Sequence, residues 1–407
     1  MKVNDLSQRP DMQEVGPVAD GGMPHRWFPF TGSPTWAPRV TEHLQKEKPE
    51  YQRPVLDGLA RHRPTANPFA RKAQEDEYAQ LRRLVQEHGL LDKQPLYYAW
   101  KIVSTLALLV AGLSLLVLLD SPWLRMINAA FLAFVFTQIG FLAHDLGHGQ
   151  VFSNRRSVDM VFLPFTLILG ISSSWWVKSH NIHHRRPNQA SVDPGLKVPL
   201  VAYTPEQAAS KRGLARFLVK FQAFYFPLLL AAMESMGMRI LSIRYLLKKQ
   251  TQYHRVELLL IAGHWVVYLG ALLYLIGPWE ALLFFVIHQG LFGLYIGMVM
   301  APNHTDMPIL ENDSGLDYVQ RQVLTARNIN SHPLLEFVYG GLNFHIEHHL
   351  FPTMSRNKLR AASAVVQEYC HLRDISYSET GTVRAFIELF RNLHIVGAPL
   401  RLPYGGR

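Results

Sequence analysis

Residues 102–148 read IVSTLALLVAGLSLLVLLDSPWLRMINAAFLAFVFTQIGFLAHDLGH, and this stretch decides the fold. It contains two uncharged runs, 102–119 and 126–143, joined by a short segment that holds Asp120 and Arg125. A helix needs about 20 apolar residues to cross the ~30 Å hydrocarbon core of a bilayer, and each run approaches that length. The stretch therefore predicts a tight hairpin of two membrane helices that ends on a pair of histidines.

Three further apolar stretches follow along the chain and extend its predicted membrane part. Residues 258–279 and 281–302 flank a Gly-Pro-Trp-Glu turn and predict a second hairpin of the same kind. Residues 160–177 are interrupted by Pro164 and Gly170, which leaves the continuously apolar part too short to cross. We expect this stretch to enter the bilayer and return to the side from which it came.

The distribution of charge predicts an orientation. The chain has 41 Lys and Arg against 31 Asp and Glu, a formal net charge of +10. Nearly all of this excess lies in residues 178–257, so this loop is expected to be cytoplasmic and the two hairpin turns to face the opposite side. Within the loop, the apolar piece 221–233 stops at Glu234 and is expected to lie at the interface. No nucleic-acid-binding motif accompanies the basic residues, so we exclude nucleic acid as a partner and expect anionic lipid headgroups.

Histidine is the residue that indicates chemistry. The chain has one cysteine, Cys370, so any metal must be held by nitrogen or oxygen ligands. Eight of the 19 histidines fall into three five-residue windows, HDLGH, HNIHH and HIEHH. Residues at i, i+3 and i+4 share one side of a helix, so each window can direct two or three imidazoles to one point. The candidate ligands are His144, His148, His180, His183, His184, His345, His348 and His349.

Eight imidazoles exceed the four ligands of a tetrahedral zinc and fit two metal ions, each with an open position. Neutral imidazole binds iron, zinc, copper and nickel, so the ligand type alone does not name the metal. The windows can share one site only if residues 160–177 turn back, because a full crossing would separate the first window from the second. We therefore predict an all-α integral membrane protein with four transmembrane helices in two hairpins. Re-entrant and interfacial helices and a cytoplasmic helical cap that holds the histidines complete this fold.

The predicted organisation has three parts. Residues 1–95 form a Pro-rich arm followed by an amphipathic helix, residues 96–360 form the membrane domain, and residues 361–407 form cytoplasmic helices. The amphipathic helices are expected near 70–88, 357–371 and 382–393.

In their order and spacing, the three windows resemble the membrane-bound fatty acid desaturase family, whose pattern is HxxxH or HxxxxH, HxxHH and [HQ]xxHH. The resemblance runs from about Leu96 to Arg360. The stretches GGLNF at 340–344 and LFP at 350–352 are similar to the front-end or linoleoyl-CoA branch of the family. In that branch the third window usually opens with Gln, whereas this chain has His345, which agrees with the wider family.

The resemblance implies two iron ions as cofactors, O2 as co-substrate and removal of two hydrogens from a fatty acyl chain, with the active site on the cytoplasmic face. The arm lacks the His-Pro-Gly-Gly signature of a fused cytochrome b5, so a separate electron donor is expected: ferredoxin, cytochrome b5 or a similar carrier with its reductase. A hydroxylase or acetylenase with the same di-iron site stays open. A histidine-rich metal transporter is the more remote alternative, because transporters place polar groups near mid-membrane, often on inverted repeats.

Residues outside the windows complete the expected site. His304 ends the last membrane helix, and the resemblance implies that it is a ninth ligand, with Asn303 as the second choice. Five polar residues are expected to orient ligand imidazoles through hydrogen bonds. They are Asp145, Asn188, Asp193, Asn303 and Glu347.

Four other residues in or near the membrane are assigned structural roles. His264 and His288 lie inside predicted membrane helices, where we expect interhelical hydrogen bonds. Trp175 and Trp176 are expected to lie at the membrane interface rather than at the substrate.

Overall fold

The computed structural model describes residues 68–249, 251–311, 314–330 and 332–401, which are mostly helical. Positions 1–67 of the predicted Pro-rich arm lie outside this part of the chain. In chain order the helices are α1 (Pro68–Glu87), α2 (Pro95–Leu118), α3 (Pro122–Gly147), α4 (Arg155–Leu169), α5 (Ser173–Arg185), α6 (Pro205–Ser210), α7 (Gly213–Val219), α8 (Gln222–Ala232), α9 (Met238–Leu247), α10 (His254–His304), α11 (Tyr318–Leu324), α12 (Pro333–Tyr339), α13 (His345–Leu350), α14 (Leu359–Leu372) and α15 (Thr382–Gly397). Two short strands, β1 (Asn328–Asn330) and β2 (Glu379–Gly381), pair in parallel.

Helices α2 and α3 form the first predicted hairpin. The Asn128 side chain in α3 donates a hydrogen bond to the Gly112 carbonyl in α2 at 2.9 Å. Gly112 permits this close approach, since a Cβ there would lie 2.5 Å from the Leu132 side chain. Both helices begin with proline at the first turn, where the missing N–H costs no helical hydrogen bond.

The second predicted hairpin is folded out of α10. Gly277 has non-helical angles (φ 73°, ψ 169°) that break the 51-residue helix into two arms. The Tyr268 hydroxyl lies 2.7 Å from His288 Nδ1, although a straight helix would separate these residues by about 30 Å. The arms therefore pack antiparallel. Arg125 in the turn of the first hairpin pairs with Glu280 in the turn of the second at 2.8 Å, so both turns lie at the same end of the molecule.

The prediction that the 221–233 piece stops at Glu234 is wrong. Helix α8 continues through a π-helical turn, Met233–Gly237, into α9 without a break, because Ala232 and Met238 both keep right-handed helical angles. The resulting segment Gln222–Leu247 is long and apolar enough to cross a membrane. A single acidic residue does not end a helix whose backbone hydrogen bonds continue on both sides.

Four helical segments in the described residues are long and apolar enough to span a membrane: Pro95–Leu118, Pro122–Gly147, Gln222–Leu247 and His254–His304. The last of these contains both arms of the second hairpin. The four predicted spans therefore lie in three of these segments. The fourth segment, Gln222–Leu247, was not predicted to be long enough to cross.

Helices α4 and α5 meet at a sharp bend where the re-entrant stretch is predicted. Their axes differ by 104°. Gly170 ends α4 in the left-handed region, and the Ser172 side chain caps the start of α5. The buried Glu257 carboxylate accepts hydrogen bonds from the Ser172 and Ser174 hydroxyls and holds the first turn of α5. The chain thus reverses where Pro164 and Gly170 interrupt the apolar run.

We expect Gly170→Ala to destabilise the protein. Gly170 has φ +68°, which side-chain-bearing residues rarely adopt, and an added Cβ would lie 2.5 Å from His264 Cδ2. Strain and overlap together should cost roughly 1–3 kcal/mol, seen as a lower melting temperature of the purified protein. Gly270→Ala is the matched control, since its Cβ would meet no heavy atom within 4 Å. Identical melting of Gly170→Ala and wild type would contradict this role for the bend.

Helices α1, α11, α13 and α14 pack around one hydrophobic cluster. Leu81 and Val85 of α1 pack with Val323 of α11, Ile346 of α13 and Val366 of α14. The predicted amphipathic helices near 70–88, 357–371 and 382–393 are confirmed as α1, α14 and α15. The β1–β2 pair is unpredicted, because each strand has three residues and no alternating pattern.

Candidate metal centre

All nine predicted ligand histidines come together in two adjacent groups that could each hold a metal ion. Within each group the ring nitrogens lie within 4.8 Å of one another. The first group is His144, His148, His180, His184 and His348, and the second is His183, His304, His345 and His349.

Helical spacing explains how three windows supply two groups. In HNIHH on α5, His180 and His184 are one helical turn apart and both join the first group. His183 precedes His184 and is rotated by about 100° from it around the helix axis, so it joins the second group. In HIEHH on α13 the assignment is reversed, because His345 and His349 join the second group and His348 the first. The two helices therefore face each other across both groups.

The other three histidines come from helix ends. His144 lies in the last turn of α3, and His148 is the residue that caps that helix. His304 is the last residue of α10. The HDLGH window therefore adds two histidines to the first group, and α10 adds one to the second.

Each histidine of the second group is oriented through its Nδ1 atom. Each of the four Nδ1 atoms lies within hydrogen-bond distance of an oxygen; where Nδ1 donates to that oxygen, it carries the proton and the Nε2 lone pair is left for a metal. The partners are the Asp193 carboxylate for His183 (3.0 Å), the Thr325 carbonyl for His304 (2.8 Å), the Leu342 carbonyl for His345 (3.2 Å) and the Gln322 side-chain oxygen for His349 (3.1 Å).

The first group contains buried ring nitrogens that have no hydrogen-bond partner. They are His144 Nε2, His148 Nε2, His184 Nδ1 and both ring nitrogens of His348. A buried nitrogen without a partner costs free energy, and a metal ion coordinated by several of them would remove that cost. Two contacts between Nε2 atoms in the second group, His304–His345 at 2.9 Å and His304–His349 at 3.1 Å, equally suit lone pairs that converge on a cation.

Burial favours the neutral form of His148, His348 and His349. Desolvation, with a smaller effect of neighbouring histidines, lowers the pKa of His348 and His349 well below 6.5. The same causes lower the pKa of His148 to about 3. Because the neutral ring is the metal ligand, both groups are ready to bind cations at neutral pH.

Asp145 joins the first window to the segment that follows the third. Its carboxylate lies 3.3 Å from His144 Nδ1 and accepts hydrogen bonds from Tyr98 (3.0 Å) and from Arg356 (2.5 Å). All four side chains are at least nine-tenths buried. The Arg356–Asp145 ion pair therefore fixes the end of α3 against the residues after α13.

Asp193 and Asn188 lie beside the second group. Both Asp193 carboxylate oxygens lie within 3.1 Å of His183 Nδ1, and the carboxylate also accepts the backbone N–H groups of Asn188 and Gly195. The Asn188 side chain donates to the His304 carbonyl at 3.0 Å. Burial alone would raise the pKa of Asp193, but His183 and the bound N–H groups lower it below its ordinary value.

Asn303 and Glu347 differ in their relation to the imidazoles. Asn303 Nδ2 lies 3.2 Å from His345 Nδ1 and donates to the Val299 carbonyl. Glu347 contacts no ligand histidine by hydrogen bond; its carboxylate accepts from Asn328 (2.7 Å) and Tyr377 (2.9 Å). Burial raises the pKa of Glu347 to about 7. Glu347 thus supports the backbone of α13 and not an imidazole directly.

Four residues at the site were not among those expected from the sequence. Gln322 accepts from His349 and donates to the His184 carbonyl (2.9 Å), so it touches both groups. Trp176 stacks on His180 with ring centroids 4.4 Å apart, a contact that the predicted interfacial position did not include. Tyr98 and Arg356 act through Asp145. Only Trp176 carried a local signal, since it lies one helical turn before His180.

Comparison with known proteins places this geometry in a family. The family model for fatty acid desaturases matches residues 121–381. The Delta(8)-fatty-acid desaturase of Euglena gracilis is 29% identical over 335 residues, covering 80% of this chain and 79% of that protein. The Delta(6)-fatty-acid desaturase fat-3 of Caenorhabditis elegans is 29% identical over 75% of this chain and 71% of its own. The Delta(5) fatty acid desaturase fat-4 of the same organism is 28% identical, with 79% and 75% covered. A chain with two buried histidine groups and a match of this extent belongs to the fatty acid desaturase family.

Proposed function

We propose that the protein inserts a double bond into a fatty acyl chain, using O2 and a pair of iron ions held by the nine histidines of the two groups. The observation that carries the proposal is the division of the nine imidazoles into a group of five and a group of four. Two adjacent cation sites built only from neutral ligands fit a metal pair that activates O2. The choice of iron over zinc or copper rests on the family, because imidazole binds all three.

The protein residues have separable tasks in this proposal. The histidines hold the two ions, which supply the oxidant needed to break an unactivated C–H bond. Asp193, Gln322 and Asp145 hold ligand imidazoles in one orientation, and the apolar packing around the groups excludes water. Related chemistry at the same ions would hydroxylate the chain or make a triple bond, so product analysis has to separate these outcomes.

We further propose that α2, α3 and the two arms of α10 cross the membrane and that the histidine groups lie on its cytoplasmic face. Both hairpin turns lie at the end joined by the Arg125–Glu280 pair, whereas His148 and His304 lie at the opposite ends of their helices. The basic loop would lie on the histidine side, as the positive-inside tendency requires. A separate electron carrier would approach from the cytoplasm.

The relatives suggest the position of the new bond. The compared proteins are named Delta(8), Delta(6) and Delta(5) desaturases, so we propose that this chain also acts near the carboxyl end of its substrate. His345 occupies the position where that branch usually has Gln. Its Nε2 lies 2.9 Å from His304 Nε2, so it supplies a nitrogen ligand to the second group.

The function is tested by expression in a host with a competent electron-donor system. Total fatty acids are derivatised at their double bonds and profiled by mass spectrometry, beside cells that carry His348→Ala. We expect a new unsaturated acid only with the intact protein, with its double bond close to the carboxyl end. A hydroxylated or acetylenic product would replace the proposed reaction by a related one. Purified protein without iron and without product would contradict the di-iron proposal.

A further inference from the structure

A second polar cluster lies in the membrane part, away from the histidine groups. It consists of Arg239 in α9 and of His264, Tyr268, His288 and Gln289 in α10. The rise of 1.5 Å per residue puts His288 about 24 Å along its helix from His304. The predicted role of His264 and His288 was interhelical hydrogen bonding, and each does make such a bond through Nδ1. Their Nε2 atoms are buried and have no partner.

Arg239 is the unusual member of this cluster. It is 1% exposed, and its one hydrogen bond within the described residues runs from Nη1 to the Ser235 carbonyl at 2.7 Å. Its Nε and Nη2 atoms have no partner, and no carboxylate in the described part of the chain pairs with it. The rings of Trp265 and Phe292 lie 5.6 and 5.7 Å from the guanidinium and offset part of its charge. A buried guanidinium that stays charged and lacks a counter-ion is costly.

The free atoms of Arg239 indicate what would bind. Nε and Nη2 form one edge of the guanidinium, the edge that presents two parallel N–H groups to the two oxygens of a carboxylate.

Ring contacts link His264 and His288 to the aromatic side chains that enclose Arg239. Phe136 contacts both His288 (4.5 Å between centroids) and Phe292 (6.3 Å), and Phe292 lies against Arg239. On the other side, Trp265 lies against Arg239 and contacts His264 at 5.1 Å. We propose that Arg239 forms a buried binding site for a singly charged anion of the carboxylate type, remote from the metal centre. Its source is either a small anion such as formate or the carboxylate of a free fatty acid.

Thermal unfolding of the full-length protein in nanodiscs tests the site. The baseline buffer contains only sodium HEPES, and formate, chloride or decanoate is added at constant ionic strength. We expect a saturable rise in melting temperature of about 4 °C. A response to formate or chloride would identify a small anion, whereas a response to decanoate alone would identify a fatty acid.

Variants distinguish specific binding from a general salt effect. Arg239→Met removes the charge but keeps the length of the side chain between Trp265 and Phe292, so we expect no response to any anion and no loss of stability in HEPES. Arg239→Gln serves as a second neutral variant. Arg125→Gln is the matched control, because Arg125 already pairs with Glu280, and it should keep the full response. A response retained by both Arg239 variants would overturn the proposal.

A second measurement detects an anion that stays bound through purification and does not exchange with the buffer. Purified wild type and Arg239→Met are denatured, and the released carboxylates and halides are quantified. Release of one more equivalent of a single anion from wild type than from Arg239→Met would support the site. Equal amounts from both proteins, together with no melting response in wild type, would overturn it.

Discussion

His348→Ala is expected to abolish desaturation and to release iron while leaving the fold and membrane insertion intact. His348 belongs to the first histidine group, is 1% exposed and has no hydrogen bond at either ring nitrogen. Its loss therefore breaks no side-chain hydrogen bond within the described protein, so loss of iron at an unchanged melting temperature would report on metal binding and not on folding. Because even residues that only orient a metal ligand contribute 10- to 100-fold, we expect activity to fall by more than about 100-fold.

Three measurements accompany this variant: product formation in cells, iron per purified protein, and the melting temperature. His371→Ala is the matched control, since His371 is exposed near the end of α14 and belongs to neither group. It should keep both iron and activity. The same loss as for His348→Ala is expected for His148→Ala and His183→Ala. Full activity with a normal iron content in any of the three would remove that histidine from the site.

The two histidine groups were largely predictable because the information is local. The i, i+3 and i+4 spacing of HNIHH and HIEHH directs imidazoles to neighbouring points whatever the rest of the fold does. The need for all three windows to meet then predicted the reversal near Gly170, where α4 and α5 bend by 104°. How the nine residues divide into five and four was not predictable, since it depends on how α5 and α13 face each other.

The residues that orient the histidines are harder to predict from the sequence. Gln322 and Thr325 reach the second group from α11 and the residue after it, a segment with no histidine and no strong pattern. Arg356 reaches Asp145 across most of the membrane domain. Such contacts are set by tertiary packing. The error at Glu234 has a different origin, because a charged residue was taken as a helix end although a π-turn carries the helix through it.

Asp193→Asn is expected to weaken iron binding about 10- to 100-fold and to lower desaturation in proportion. One carboxylate oxygen accepts the Gly195 N–H and the other accepts the Asn188 N–H, both at 2.8 Å, while His183 Nδ1 lies within 3.1 Å of each. Asparagine keeps one oxygen, but its NH2 group would face a buried backbone donor. The side chain would then turn or shift, and His183 would lose the acceptor that holds its Nε2 toward the second group.

Iron retained after a timed chelator challenge, measured beside the melting temperature, separates orientation from stability. We expect excess ferrous iron to restore part of the activity of Asp193→Asn, because the imidazole itself is still present. Iron cannot rescue His183→Ala, in which the ligand is missing. Asp120→Asn is the control, since Asp120 is exposed and lies in the hairpin turn far from both groups. If Asp193→Asn lost stability but kept normal iron retention, the carboxylate would serve the loop around Asn188 and not the orientation of His183.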